Sequence, residues 1–181
     1  LRKSLTHASR VIASGRTDTG VHAFAQVINF PTESTIPADA LVRGLNSVLP
    51  GDVVVLSAED VVPEFHARYM AKAKTYVYVM DTSPVRNPFM DRYALHVGRS
   101  LDCSAMQEAA GFLLGEHEFT SFQAAGSPVK SSLRLITLSE VTDKGRKVFF
   151  CIKGSGFLRH MVRNIVGTLL LVGSGKLAPE D

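Results

Sequence analysis

Apolar and polar positions along this chain alternate at two periods, and each period marks a set of elements. Short apolar stretches, continuous or alternating, at Ser9–Ser14, Val21–Phe30, Val53–Ala58, Ala71–Met80, Tyr93–Val97, Leu133–Val141 and Lys147–Lys153 predict strands. Stretches with helical period at Pro37–Val48, Cys103–Leu114 and Phe157–Val172 predict helices. Pro37 suits the first turn of its helix, Pro50-Gly51 stops it, and Ser100-Leu101-Asp102 supplies an N-cap for the next helix. The chain therefore reads as α+β, with no short repeat and no low-complexity tract. The stretch Asp81–Asp91, with Pro84 and Pro88, is the expected boundary between two halves, residues 1–82 and 83–181. Leu1–Thr6 reads as the end of a helix and Pro179-Glu180-Asp181 as the first turn of another, so both ends are expected to fall inside elements.

Two elements carry more than a period. From Lys72 to Met80, alternation puts Lys72, Lys74, Tyr76 and Tyr78 on one face and Ala73, Thr75, Val77 and Val79 on the other. The second set is expected to face the core. That leaves a basic-aromatic strip suited to stacking bases and neutralising phosphates, although tyrosines and lysines also sit on strands for structural reasons. In the last helix, Leu158, Met161, Val162, Ile165, Val166, Leu169 and Val172 cover one broad side, while Arg159, His160, Arg163, Asn164 and Gly167 line the opposite stripe. Neither arginine has an acid three or four residues away. Their partner must come from elsewhere: a distant structural acid, Asp18, or the phosphates of an RNA.

Composition narrows the class. The 181 residues are 45% hydrophobic and 20% charged, which fits a folded globular protein of one large or two small domains. No apolar run approaches the length of a membrane span, and the start lacks the apolar core of a signal peptide. Cys103 and Cys151 have no metal-type spacing and read as reduced thiols, so the cytoplasm is the expected compartment. The net charge of +3 is modest but unevenly spread. Lys144 to Pro179 holds seven Lys or Arg and no acid, and Phe65 to Met80 holds three and no acid. Segregation of this kind suggests a basic face for a polyanion.

Against that background Asp18 stands out as the only acid in the first thirty-two residues. It lies in Gly15-Arg16-Thr17-Asp18-Thr19-Gly20, beside Arg16 and bracketed by glycines that permit a sharp turn. A carboxylate held there is placed to act as a nucleophile or base on an anionic substrate. The alternative is an ordinary Gly-Asp turn with a salt bridge. The histidines form no metal pattern, and no carboxylate cluster has ligand spacing, so no metal is expected. His22, on the strand face with Phe24, Ile28 and Phe30, reads as a packing residue. Glu116-His117-Glu118-Phe119-Thr120-Ser121-Phe122 reads as a polar loop leading into a sheet edge.

Taken together, four stretches resemble the TruA-type tRNA pseudouridine synthases, in order and over nearly the whole chain. They are Gly15 to Ala23; Phe65-His66-Ala67-Arg68 running into Lys74-Thr75-Tyr76-Val77-Tyr78; Gly115 to Phe122; and Phe157 through Arg163-Asn164 to Gly167. The resemblance implies two ferredoxin-like halves flanking a cleft, a homodimer, and a uridine in the anticodon arm of tRNA as substrate. It implies that the first strand and the C-terminal elements of the family fold lie outside this sequence. It further implies Asp18 as the catalytic aspartate, Arg163 as its basic partner, Tyr76 as the residue stacking on the target base, and Arg16 as the arginine that helps displace the target nucleotide. Lys72, Lys74, Arg68, Arg159 and His160 would then hold RNA. The isomerisation involves no redox change and no net water, so no cofactor is expected.

Two other readings compete. A non-catalytic RNA-binding module could use the same strand face, but a carboxylate in its most basic region would only repel phosphate. A small-molecule hydrolase could use Asp18 as nucleophile, but would leave the basic segregation without a purpose.

Overall fold

Among the described residues, little of the N-terminal region pairs as strands. The structure is a computed structural model that describes residues 10–126, 129 and 131–181, so the helix tail expected at Leu1–Thr6 lies outside the described residues. β1 (Ile12–Ala13) runs antiparallel to β2 (Ile28–Asn29), with Ile12 opposite Asn29 and Ala13 opposite Ile28. The expected strand Val21–Phe30 is thus reduced to its end. Phe24, 97% exposed, packs on nothing that would hold it in a sheet. Helix α1 (Ala38–Asn46) follows Pro37 as expected. Val53–Ala58 is not a strand. Its backbone pairs instead with the last residue of α1: the Val55 N–H donates to Asn46 Oδ1 at 2.8 Å, and Asn46 Nδ2 donates to the Val55 carbonyl at 2.9 Å.

The remainder is built on a five-stranded sheet. Its strands are β3 (Lys74–Asp81), β4 (Leu95–His96), β5 (Gly115–Glu118), β6 (Leu133–Asp143) and β7 (Lys147–Gly154), in the order β4-β3-β7-β6-β5. Among the described residues, only β3 and β4 pair in parallel. Helix α2 (Cys103–Gly111) is capped by Asp102, whose carboxylate accepts from the Ala105 N–H at 3.0 Å. Helix α3 (Met161–Gly173) packs against α2. The contact is close at Gly173, where a Cβ would lie 2.5 Å from Met106 Sδ. Met106, Ile136, Val148, Phe150, Ile152, Met161 and Ile165 form the centre of the core.

Compact units divide the chain at residues 1–71 and 72–181, ahead of the expected boundary. The reason lies in β3, which pairs with β7 along its whole length, from Lys74 opposite Gly154 to Asp81 opposite Lys147. Asp81–Asp91 is therefore interior to the second unit. It is ordered by a paired contact from Arg86 to Asp91, with Nε–Oδ1 and Nη2–Oδ2 both at 2.6 Å.

The same pairing corrects the expected facing of β3. Tyr76, Tyr78 and Met80 stand opposite Ile152, Phe150 and Val148, all three buried. The tyrosine face is thus the core side, and Val77, on the other face, is 55% exposed. A tyrosine ring removes more apolar surface from water than a valine does, so the ring-bearing face is the one worth covering.

Candidate active site and RNA-binding residues

The Asp18 loop is a turn with a fastened neck. The Asp18 carbonyl accepts from the Val21 N–H at 3.0 Å, and Gly20 sits at φ +80°, a value L side chains rarely adopt. At the neck, the Ser14 N–H donates to the Val27 carbonyl at 2.9 Å, and Gln26 Nε2 donates to the Gly15 carbonyl at 2.8 Å. Ser14 Oγ donates in turn to Gln26 Oε1 at 2.5 Å. Asp18 and Arg16 are both exposed on the loop. Gln26 was not singled out in the sequence, although an amide inside the apolar run Ala25–Phe30 was a signal that it served the backbone.

A second segment is anchored on the same strand pair. Asn29 Nδ2 donates to the Phe65 carbonyl at 3.2 Å, and its Oδ1 accepts from the Ala67 N–H at 2.9 Å. His66 then builds the turn that presents Arg68. Its Nδ1 faces the Arg68 and Tyr69 N–H groups at 3.3 and 3.2 Å, and its ring stacks on Tyr69 with centroids 4.1 Å apart. Arg68 is exposed there. The first unit thus brings Asp18, Arg16 and Arg68 onto loops held by β1 and β2.

The second unit carries Lys72, Lys74, Tyr76, Arg159, His160 and Arg163. Lys72 is exposed and Lys74 half-buried. Tyr76 is half-buried against the core and meets Phe157 edge to face, with centroids 5.0 Å apart. Helix α3 begins at Met161 rather than at Phe157, because His160 adopts φ +59°, outside the right-handed helical region. Arg159 and His160 therefore belong to the turn before α3, while Arg163, Asn164 and Gly167 form its exposed stripe as expected. Glu116–Phe122, expected as a loop, is β5 on the sheet edge followed by a 3-10 turn at Thr120–Phe122. Asn164 Nδ2 donates to the Phe122 carbonyl at 2.9 Å, and the Ala124 N–H donates to the Arg159 carbonyl at 3.0 Å. The latter part of the second stretch, in β3, thus lies in one unit with the third and fourth, the β5 turn and the start of α3.

Among the described residues no three His, Cys, Asp or Glu side chains gather where a metal could bind, and no helix is long and apolar enough to cross a membrane. Cys103 and Cys151 are free thiols, both pushed up in pKa by burial first and then by neighbouring acids.

Comparison with known proteins identifies the family. The profile of the tRNA pseudouridine synthases matches residues 2–70 and 109–181. The tRNA pseudouridine synthase A of Moorella thermoacetica is 47% identical over 169 residues, 93% of this chain and 69% of the relative. The protein of that name from Shouchella clausii is 49% identical over 171 residues, 94% of this chain and 66% of the relative. The tRNA pseudouridine synthase A 2 of Clostridium perfringens is 44% identical over 181 residues, 99% of this chain and 74% of the relative. The chain thus spans about two thirds to three quarters of the length of these curated relatives. With identity at this level along nearly all of its residues, and with the resembling stretches folded as described, the chain belongs to the tRNA pseudouridine synthase family of isomerases.

Proposed function

We propose that this chain converts uridine to pseudouridine in the anticodon arm of tRNA, with Asp18 as its catalytic carboxylate. Family membership supports the reaction. The observation that carries the assignment of Asp18 is its display at the exposed turn of a loop whose neck is tied by Ser14 and Gln26. The reaction breaks the N1–C1′ bond of uridine, turns the base, and rejoins it through C5, while the proton at C5 moves to N1. Taking the target out of its stack costs a few kcal/mol. Stacking on Tyr76 returns on the order of 1–3 kcal/mol of this. Asp18 then either attacks C1′ or removes a proton from the sugar.

In this reading Arg163 is the basic partner that keeps Asp18 ionised and oriented. Arg16 helps displace the nucleotide, and Lys72, Lys74, Arg68, Arg159 and His160 neutralise phosphates. The reading includes the family's arrangement of two ferredoxin-like halves around an active-site cleft. It also includes a cytoplasmic homodimer that needs no cofactor. The test is an assay for new pseudouridine in unmodified tRNA incubated with the protein. Pseudouridine in the anticodon arm is expected. Tight tRNA binding without any pseudouridine would leave the alternative of a non-catalytic RNA-binding module.

A further inference from the structure

On the core face of β3, Tyr76 stands opposite Ile152, and the next core-facing position of β7 is Gly154. A side chain at Gly154 would collide with its surroundings, since a Cβ there would lie 2.7 Å from Ile136 Cδ1 and 2.8 Å from the Leu135 carbonyl oxygen. The same Cβ would lie 3.5 Å from Phe157 Cζ, so the Phe157 ring rests against the bare backbone of Gly154. From that seat it meets Tyr76 with ring centroids 5.0 Å apart and planes at 82°. Both rings pack against the core cluster, and both remain half-buried. Shortly after Phe157 the chain passes through left-handed His160 into α3 and Arg163.

We propose that Phe157 is a positioning residue for Tyr76, its perpendicular ring holding the tyrosine plane in the orientation that receives the target base. This rests on the reading of Tyr76 as the base-stacking residue. A tyrosine on a strand can turn about both of its side-chain bonds, and the torsion that sets the ring plane is the softer of the two. A perpendicular aromatic neighbour at this distance favours one setting, because the positive ring edge is drawn to the negative ring face. A ring already set loses less freedom when the displaced base arrives, so the reactive arrangement forms more readily on the bound tRNA. A residue that merely filled the space over Gly154 would act through its volume, and any apolar side chain of similar size would serve.

The experiment compares Phe157→Leu, Phe157→Tyr, Tyr76→Ala and the double variant Phe157→Leu/Tyr76→Ala, with single-turnover pseudouridine formation, tRNA affinity and melting temperature measured for each. Phe157→Leu is expected to slow the isomerisation roughly three- to tenfold, the worth of one aromatic pair. Its tRNA affinity and melting temperature should stay close to those of the unaltered protein, and Phe157→Tyr should retain the rate. In the Tyr76→Ala background, Phe157→Leu should cause no further loss. Equal slowing in both backgrounds, no slowing in the first, or a Phe157→Tyr variant as slow as Phe157→Leu would overturn the proposal. Should leucine fail to fold at this position, Phe157→Met carries the same expectations. An unaltered rate in Tyr76→Ala alone would instead overturn the reading of Tyr76, whatever Phe157 does.

Discussion

Gln26 Nε2 reaches across the neck of the Asp18 loop to the Gly15 carbonyl at 2.8 Å, and Gln26 Oε1 accepts from Ser14 Oγ. One amide therefore fastens both sides of the neck, and a loop tied this way presents Asp18 in few orientations. Gln26→Leu keeps the size and removes both bonds. The rate of pseudouridine formation should fall about three- to tenfold, the worth of one or two hydrogen bonds of ordinary strength. Since Gln26 lies outside the core, the melting temperature should change little. A rate equal to that of the unaltered protein would mean that the turn at Gly20 holds Asp18 unaided.

Tyr76 separates stacking from hydroxyl chemistry. Its ring is packed and half-buried on the core face of β3, so Tyr76→Phe should fold as the original does and keep most of the activity. Tyr76→Ala should lose most of it, as removing a stacking platform costs about 1–3 kcal/mol per base. A phenylalanine variant as inactive as alanine would show that the hydroxyl takes part in the reaction.

Asp81 gives a stability dependence on pH. Its carboxyl is held below the usual carboxylate range, first by a hydrogen bond from the Ser83 side chain and then by the Ser83 N–H, which donates to Oδ1 at 3.0 Å. His96 and Lys147 add smaller attractions, and burial opposes them. A carboxyl whose pKa is depressed by folding stabilises the protein above its unfolded value of about 3.9, and that contribution is lost as pH falls through the folded value. Asp81→Asn should therefore melt below the unaltered protein at neutral pH, with the gap narrowing below about pH 4. A gap that stays constant down to acid pH would contradict the Ser83 hydrogen bonds as its source.

The apolar face of α3 was legible because helical periodicity reports directly on burial. Met161, Ile165, Val166, Leu169 and Val172 are all buried, and Arg163 and Asn164 are exposed. The helix start was not legible, because the pattern continues through His160 while its backbone leaves the helical region. Alternation along β3 divided its residues correctly into two faces but could not say which was covered. That depended on β7, some seventy positions away, which places Val148, Phe150 and Ile152 beside the tyrosines. The clamps made by Gln26, Asn29 and Asn46 join side chains to distant backbone, and no local pattern encodes such partners. The turn at Asp18 was legible, since glycine at Gly20 marks the positive φ it adopts.

Gly173 offers a test of the packing between α2 and α3. A Cβ there would fall 2.5 Å from Met106 Sδ and 3.3 Å from Leu101 Cδ2. Gly173→Val should cost about 1–3 kcal/mol by overpacking, read as a lower midpoint in urea. Met106→Ala in the same chain should relieve part of the strain, whereas a fully additive loss would place the damage elsewhere.

If Asp18 performs the isomerisation, pseudouridine formation by Asp18→Asn, measured beside its tRNA affinity, must reveal it. Asparagine keeps the shape and hydrogen-bonding reach of the side chain and removes the ionised oxygen. No detectable pseudouridine is expected in the anticodon arm, with tRNA affinity within a few fold of the unaltered protein. An asparagine variant that forms pseudouridine at a comparable rate would make Asp18 a turn residue and contradict the mechanism.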